Sequence, residues 1–159
     1  MESFKIKSHS PEQTQLLGSY LGELAQESDV FLLMGDLGAG KTCLVQGIAS
    51  GLEIKEYAFS PSYVLVKEYH GRLPLYHIDL YRLNHIEEIA DLGLEEQFYG
   101  NGVCAVEWAD KGLQLMPYDN LLITLLYVPD FETERTIHLK PRGKRYHKLL
   151  EQLKMKGEF

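Results

Sequence analysis

Cysteine is scarce in this chain of 159 residues: Cys43 and Cys104 are the only two. Both have apolar neighbours, which predicts two buried thiols rather than a disulfide framework or a metal pair. No apolar run approaches the ~20 residues needed to span a membrane as a helix. The stretch Met1-Glu2-Ser3-Phe4-Lys5 has no apolar signal-peptide core. These absences predict a cytoplasmic protein that makes no membrane contact. No internal repeat, low-complexity tract or linker interrupts the chain. Its length suits one domain over residues 1–159, and a domain of about 150 residues buries roughly 68–70% of its unfolded surface. Arginine is also sparse before Arg135, which leaves little for an arginine-rich lid over an acceptor pocket. There is a single tryptophan, Trp108.

The formal net charge is −7, and it is unevenly spread. Residues 140–156 carry Lys140, Arg142, Lys144, Arg145, Lys148, Lys154 and Lys156 against Glu151 alone, so the remainder is more acidic still. Such a body does not grip nucleic acid over its whole surface. A basic helix is expected at about 143–156, from the spacing of Leu149, Leu150 and Leu153. It is either a solvated terminal helix or a contact for RNA or an acidic partner.

One stretch organises the rest. Gly35-Asp36-Leu37-Gly38-Ala39-Gly40-Lys41-Thr42 fits G-x-x-x-x-G-K-[ST], the phosphate-binding P-loop. The apolar run Val30-Phe31-Leu32-Leu33-Met34 before it reads as a buried strand. Leu44, Val45, Ile48 and Ala49 after it have helical spacing. Backbone N–H groups can wrap a phosphate only where no side chain blocks them, hence Gly35, Gly38 and Gly40. The following helix adds unpaired donors and a partial positive charge. Lys41 supplies a full charge, and Thr42 offers a hydroxyl to Mg²⁺.

Around this loop, Phe4-Lys5-Ile6-Lys7 alternates as a short strand. Ser10-Pro11-Glu12-Gln13 reads as a helix start, with Ser10 as N-cap and Gln13 closing a capping box. That helix stands before the P-loop strand, where it can cover a nucleotide base. Tyr63 to Tyr69 and Leu73 to Tyr81 read as two strands turning at His70-Gly71-Arg72. Strands joined this tightly are antiparallel, so the sheet is mixed. Asn84 is the expected N-cap of a short helix, with further helical pieces from Leu94 to Phe98. Val103 to Val106 reads as a buried strand, and Leu121 to Val128 and Thr133 to Leu139 as two more. The expected fold is α/β, a P-loop NTPase-like three-layer sandwich with a mixed parallel and antiparallel sheet.

A P-loop needs acids for Mg²⁺ and for an attacking water. Glu107 follows the strand Val103-Cys104-Ala105-Val106, and Asp79 ends His77-Ile78-Asp79. His77 reads as a packed or hydrogen-bonding histidine, and Trp108 as a core aromatic. Ser60 and Ser62 are either turn residues or part of a switch. No N-K-x-D guanine-reading motif occurs, which disfavours a GTPase.

Together these motifs resemble the TsaE family, also called YjeE, the small ATPases of bacterial tRNA threonylcarbamoyladenosine synthesis. The P-loop, Ser60-Pro61-Ser62-Tyr63, His77-Ile78-Asp79-Leu80-Tyr81-Arg82-Leu83 and Glu107-Trp108 carry the resemblance. It runs from Ser10 to about Leu139 and leaves out the last twenty residues. The resemblance implies ATP and Mg²⁺ as ligands. Asp36, Leu37, Gly38, Ala39, Gly40, Lys41, Thr42 and Cys43 are then the loop that binds the phosphates. Ser10, Pro11 and Thr14 approach the adenine, and Arg135 is the candidate late-strand arginine. Thr42, Asp79 and Glu107 form the Mg²⁺ side, with Lys41, Asp79 and Glu107 as the catalytic set. Ser60, Pro61, Ser62 and Tyr63 form a mobile switch. The implied partners are the TsaB–TsaD pair, with tRNA met only indirectly, and hydrolysis resets that complex. Two departures stand out: Ser62 replaces the usual Thr, and Cys43 replaces a hydroxyl residue after Lys-Thr. A small-molecule kinase and a non-hydrolysing ATP-binding module remain the alternatives.

Overall fold

The computed structural model describes residues 3–56 and 65–157. Its strands are β1 (Phe4–Ser8), β2 (Val30–Met34), β3 (Val66–Tyr69), β4 (Leu75–Asp79), β5 (Val103–Glu107), β6 (Asn120–Val128) and β7 (Phe131–Arg142). Its helices are α1 (Pro11–Leu24), α2 (Lys41–Gly51), α3 (Ile86–Ala90), α4 (Glu95–Phe98) and α5 (Lys144–Lys156). Two 3₁₀ turns, Ala109–Lys111 and Leu113–Leu115, follow β5.

The strands form one sheet in the order β1-β7-β6-β2-β5-β4-β3. β2 runs parallel to β5 and β6, and β4 parallel to β5. The β3–β4, β6–β7 and β1–β7 pairs are antiparallel. The chain is thus the mixed α/β sandwich that the sequence predicts. Alternation along each strand divides the core in two. Phe31, Leu33, Val103 and Ala105 face α1, α2 and α5, whereas Val30, Leu32, Cys104 and Val106 face α3, α4 and the 3₁₀ turns.

Several boundaries differ from the sequence expectation. β3 begins at Val66 and β4 spans only Leu75–Asp79; residues 57–64, with the expected start of β3 at Tyr63, lie outside the described residues. β7 runs on to Arg142 through Pro141. A proline is tolerated there because β1 pairs with β7 only from Arg135 to Leu139, leaving that stretch as an edge. His85, not Asn84, is the N-cap of α3. The Glu88 carboxylate takes both the Asn84 and His85 N–H groups, at 3.2 and 3.0 Å, so the acid three residues on selects the cap. At α1, Ser10 accepts the Gln13 N–H at 3.2 Å as expected. Gln13 returns its side chain to His9, at 2.7 Å, one residue earlier than a standard box.

The basic tail is a packed helix. Tyr146, Leu149, Leu150 and Leu153 are buried, and Tyr146 accepts the Val30 N–H at 2.7 Å. Arg145 forks onto Asp29 at 2.9 and 2.6 Å, the bidentate geometry that favours arginine over lysine.

The closest internal packing is between α1 and α2. Gly18 and Gly22 on α1 face Gly47 and Gly51 on α2. A Cβ at these positions would lie 2.3, 2.2, 2.2 and 2.1 Å from Leu44 O, Ile48 O, Gln15 O and Ser19 O respectively. Backbone therefore rests on backbone along two turns of each helix. Alanine at Gly47 gains at most ~1 kcal/mol of helix propensity, while forcing apart such a contact costs about 1–3 kcal/mol. Gly47→Ala is expected to lower the urea midpoint of unfolding; an equal or higher midpoint would show that the two helices can separate freely.

Candidate functional site

The loop between β2 and α2 has the conformation its glycines predict. Gly35, Gly38 and Gly40 have φ of 148°, 81° and 107°. Two of these turns are also crowded: a Cβ on Gly35 would sit 2.6 Å from Leu125 O, and one on Gly38 2.9 Å from the Tyr127 hydroxyl. Gly40 is the N-cap of α2. No side chain caps that end and no acid lies in its first turn. The free N–H donors and the positive end of the helix dipole are therefore available to an anion.

Lys41 is buried and folds back over the loop. Its Nζ donates to Gly35 O at 2.5 Å and Asp36 O at 2.9 Å, and it lies 4.0 Å from the centre of the Trp108 ring. Trp108 stacks at 4.9 Å on Tyr81. It is half-buried, packing against the core on one side and walling the site on the other. Its backbone is left-handed, φ 59°, an uncommon state for a bulky residue. Burial holds the Lys41 pKa below its ordinary value of 10.5, against the pull of Glu107, Asp110, Asp79 and Asp36.

The two strand-end acids meet at this loop. Asp79 and Glu107 are directly paired in the β4–β5 register, and both are buried. Ligands in open α/β sheets bind at such carboxyl ends, where neighbouring connections diverge. Thr42 Oγ1 lies 3.1 and 3.2 Å from the two Glu107 oxygens. Asp79 Oδ1 accepts the Tyr81 N–H at 3.0 Å. A cavity of about 370 Å³ is lined by Gly38, Gly40, Lys41, Thr42, Asp79 and Glu107, with Arg82 and Trp108 among its other walls.

Among the described residues, no three His, Cys, Asp or Glu side chains gather into a metal cage. Two carboxylates and one hydroxyl, all oxygen donors, suit Mg²⁺ held largely by phosphates and water. The loop's free donors and Lys41 likewise suit a phosphate chain.

The flanking candidates also converge. Cys43 Sγ donates to Pro11 O at 3.2 Å, and the Thr14 methyl lies 4.0 Å from where a Gly40 Cβ would stand. The start of α1 thus abuts the start of α2. Ser10 spends its side chain capping α1. Cys43 is only half-buried, unlike Cys104; burial and then Glu12 push its thiol pKa up. Arg135 donates through Nε to Ala39 O at 3.1 Å and through Nη2 to Gly38 O at 3.4 Å. Its guanidinium lies 4.4 Å from the Tyr127 ring centre, and Tyr127 donates to Leu37 O at 2.6 Å. Asp36, Leu37 and Ala39 complete the loop, with the Leu37 side chain exposed. Ser60, Pro61, Ser62 and Tyr63 lie outside the described residues. Sequence reasoning missed Tyr81, Arg82 and Tyr127 as walls or braces; Tyr81 and Arg82 stand in the same motif as Asp79, which was the available signal.

A family model described as "Threonylcarbamoyl adenosine biosynthesis protein TsaE" matches residues 8–137. The chain belongs to the TsaE family. The tRNA threonylcarbamoyladenosine biosynthesis protein TsaE of Bacillus subtilis (strain 168) is 42% identical over 154 residues, covering 96% of this chain and 95% of that protein. That similarity runs into the basic tail, beyond the limit of about Leu139 set by motifs alone. TsaE of Treponema pallidum (strain Nichols) is also 42% identical, over 130 residues, 82% of this chain and 96% of that one. The crystal structure of Bacillus subtilis YdiB superposes with a TM-score of 0.84 at 38% identity, covering 97% of this chain and 95% of that one.

A phosphate beside Lys41 favours its charged form, so binding takes up a proton between the free and bound pKa values. ADP affinity, followed through Trp108 fluorescence, should be constant at neutral pH. It should then weaken as pH rises through a region below 10.5. Affinity independent of pH up to that value would show that Lys41 does not meet the phosphates.

Proposed function

We propose that this TsaE family member is a Mg²⁺-dependent ATPase in tRNA threonylcarbamoyladenosine synthesis, acting as a nucleotide-driven switch on the TsaB–TsaD complex. The observation that carries the reading is the meeting of Thr42 and Glu107, beside Asp79, at the mouth of the Lys41 loop. The family supplies the pathway; the site supports the chemistry.

The loop N–H groups and the start of α2 bind the phosphates and fix their orientation. Lys41 exchanges Gly35 O and Asp36 O for phosphate oxygens and balances their charge. Thr42 and Glu107 hold the cation side, and bound Mg²⁺ supplies Lewis-acid neutralisation of the charge at the transferred phosphoryl group. Asp79 stands where it can orient the water that attacks phosphorus, as the bond to ADP breaks and a proton is released. Arg135 braces the loop from β7. Arg82 is part of the cavity wall, and no arginine finger is evident in the matched motifs, which fits slow turnover until a partner completes the site. Pro11 and Thr14 stand on the adenine side of the loop, and Ser60 to Tyr63 form the segment that reports nucleotide state.

Phosphate release measured with and without the TsaB–TsaD pair tests this reading. Wild type should turn over slowly alone and faster with the pair. Glu107→Ala should lose on the order of 10²-fold or more. Transfer of the γ-phosphoryl group to a metabolite, or tight ATP binding without turnover in any mixture, would overturn it.

A further inference from the structure

Glu107 has a partner on each side, and only one of them belongs to the loop. His77 lies on β4 two residues before Asp79, so both side chains leave the strand on the same side. Its Nε2 is 2.5 Å from Glu107 Oε2. The imidazole is fully buried, and Glu107 is 3% exposed. A carboxylate this far from water needs hydrogen-bond donors in place of the ones it lost. Thr42 reaches both oxygens at over 3 Å, whereas His77 makes one short contact to a single oxygen. Its other nitrogen, Nδ1, is buried with no hydrogen-bond partner among the described residues. An unpaired lone pair there is tolerable and an unpaired buried N–H is costly, so the arrangement fits a proton on Nε2, directed at Glu107.

We propose that His77 is the positioning residue for Glu107: its Nε2–H pins Oε2 against β4, so that Oε1 and the Thr42 hydroxyl face the cavity as a preset cation-side pair. The inference rests on the reading of Glu107 as the acid of the Mg²⁺ side. His77 does not itself line the cavity and acts through the Glu107 carboxylate. Its place resembles the outer hydrogen bonds that orient metal-bound carboxylates elsewhere, whose loss costs about 10–100-fold in metal affinity. The β4 strand then serves the site twice, with Asp79 at its tip and His77 one step inside.

The test compares substitutions of similar polarity and different reach. Glutamine places an amide N–H three bonds from Cβ, where Nε2 stands; asparagine stops one bond short. ADP affinity is measured for the full chain with and without Mg²⁺, and the ratio of the two is the readout. His77→Asn should lose about tenfold or more of the Mg²⁺-dependent gain, and His77→Gln should keep it within about threefold of wild type. Equal ratios for both variants, whether retained or lost, would overturn the proposal. Wild type without Mg²⁺ dependence, or Glu107→Ala with an unchanged ratio, would instead overturn the cation-side reading of Glu107 and the role of His77 with it.

Discussion

The backbone contact between α1 and α2 is the constraint on which the site depends. Gly18, Gly22, Gly47 and Gly51 let two helices approach until the carbonyls of one meet the α-carbons of the other. Side chains between helices can repack by changing rotamer; a backbone contact has no such slack. The axis of α2 is thereby fixed against α1, and with it the direction in which Lys41, Thr42 and the free N–H groups point. The same contact brings Pro11 and Thr14 beside the first turn of α2. A segment that precedes β2 in sequence becomes a wall of the loop that follows it.

The sheet completes the arrangement from the other side. β5 sits between β2 and β4, and its parallel register sets Leu33 and Asp79 on either side of Glu107. β6 and β7 lie on the other side of β2 in the sheet, so the loop after β2 lies where neighbouring connections diverge. The β6–β7 pair returns Arg135 and Tyr127 to the loop's outer rim, and α5 locks the far end of β2 through Tyr146 and Arg145. Rigid parts thus surround a loop whose own shape relies on three glycines in left-handed conformations.

Much of this was legible in the residues. The P-loop, the order of its strand and helix, the hairpin and the two strand-end acids all rest on local patterns: glycine spacing, apolar runs, a polar residue ending a strand. What stayed hidden depended on pairing between distant segments. The register of β7 against β6 decides where Arg135 points, and spacing alone carries no information on it. The alternation in β4 places His77 on the side of Asp79, but only the β4–β5 register brings it to Glu107. Trp108 packs against the core as its type suggests, but only the fold shows its ring lying beside Lys41. Ser10 caps α1 as expected, but the Gln13 side chain took the N–H of His9; at α3 the Glu88 side chain moved the cap itself from Asn84 to His85.

Lys41 resting on Gly35 O and Asp36 O has a consequence for exchange. The loop's own carbonyls satisfy its lysine. An anion that bound here through Lys41 would have to replace those two carbonyls, so part of its gross attraction would be offset by the contacts it displaced. On its departure the ammonium would have the same carbonyls to return to, so a buried charge need not be left bare. Entry and exit would then swap one set of acceptors for another, and an exchange of like for like favours reversibility over the grip of a stripped charge.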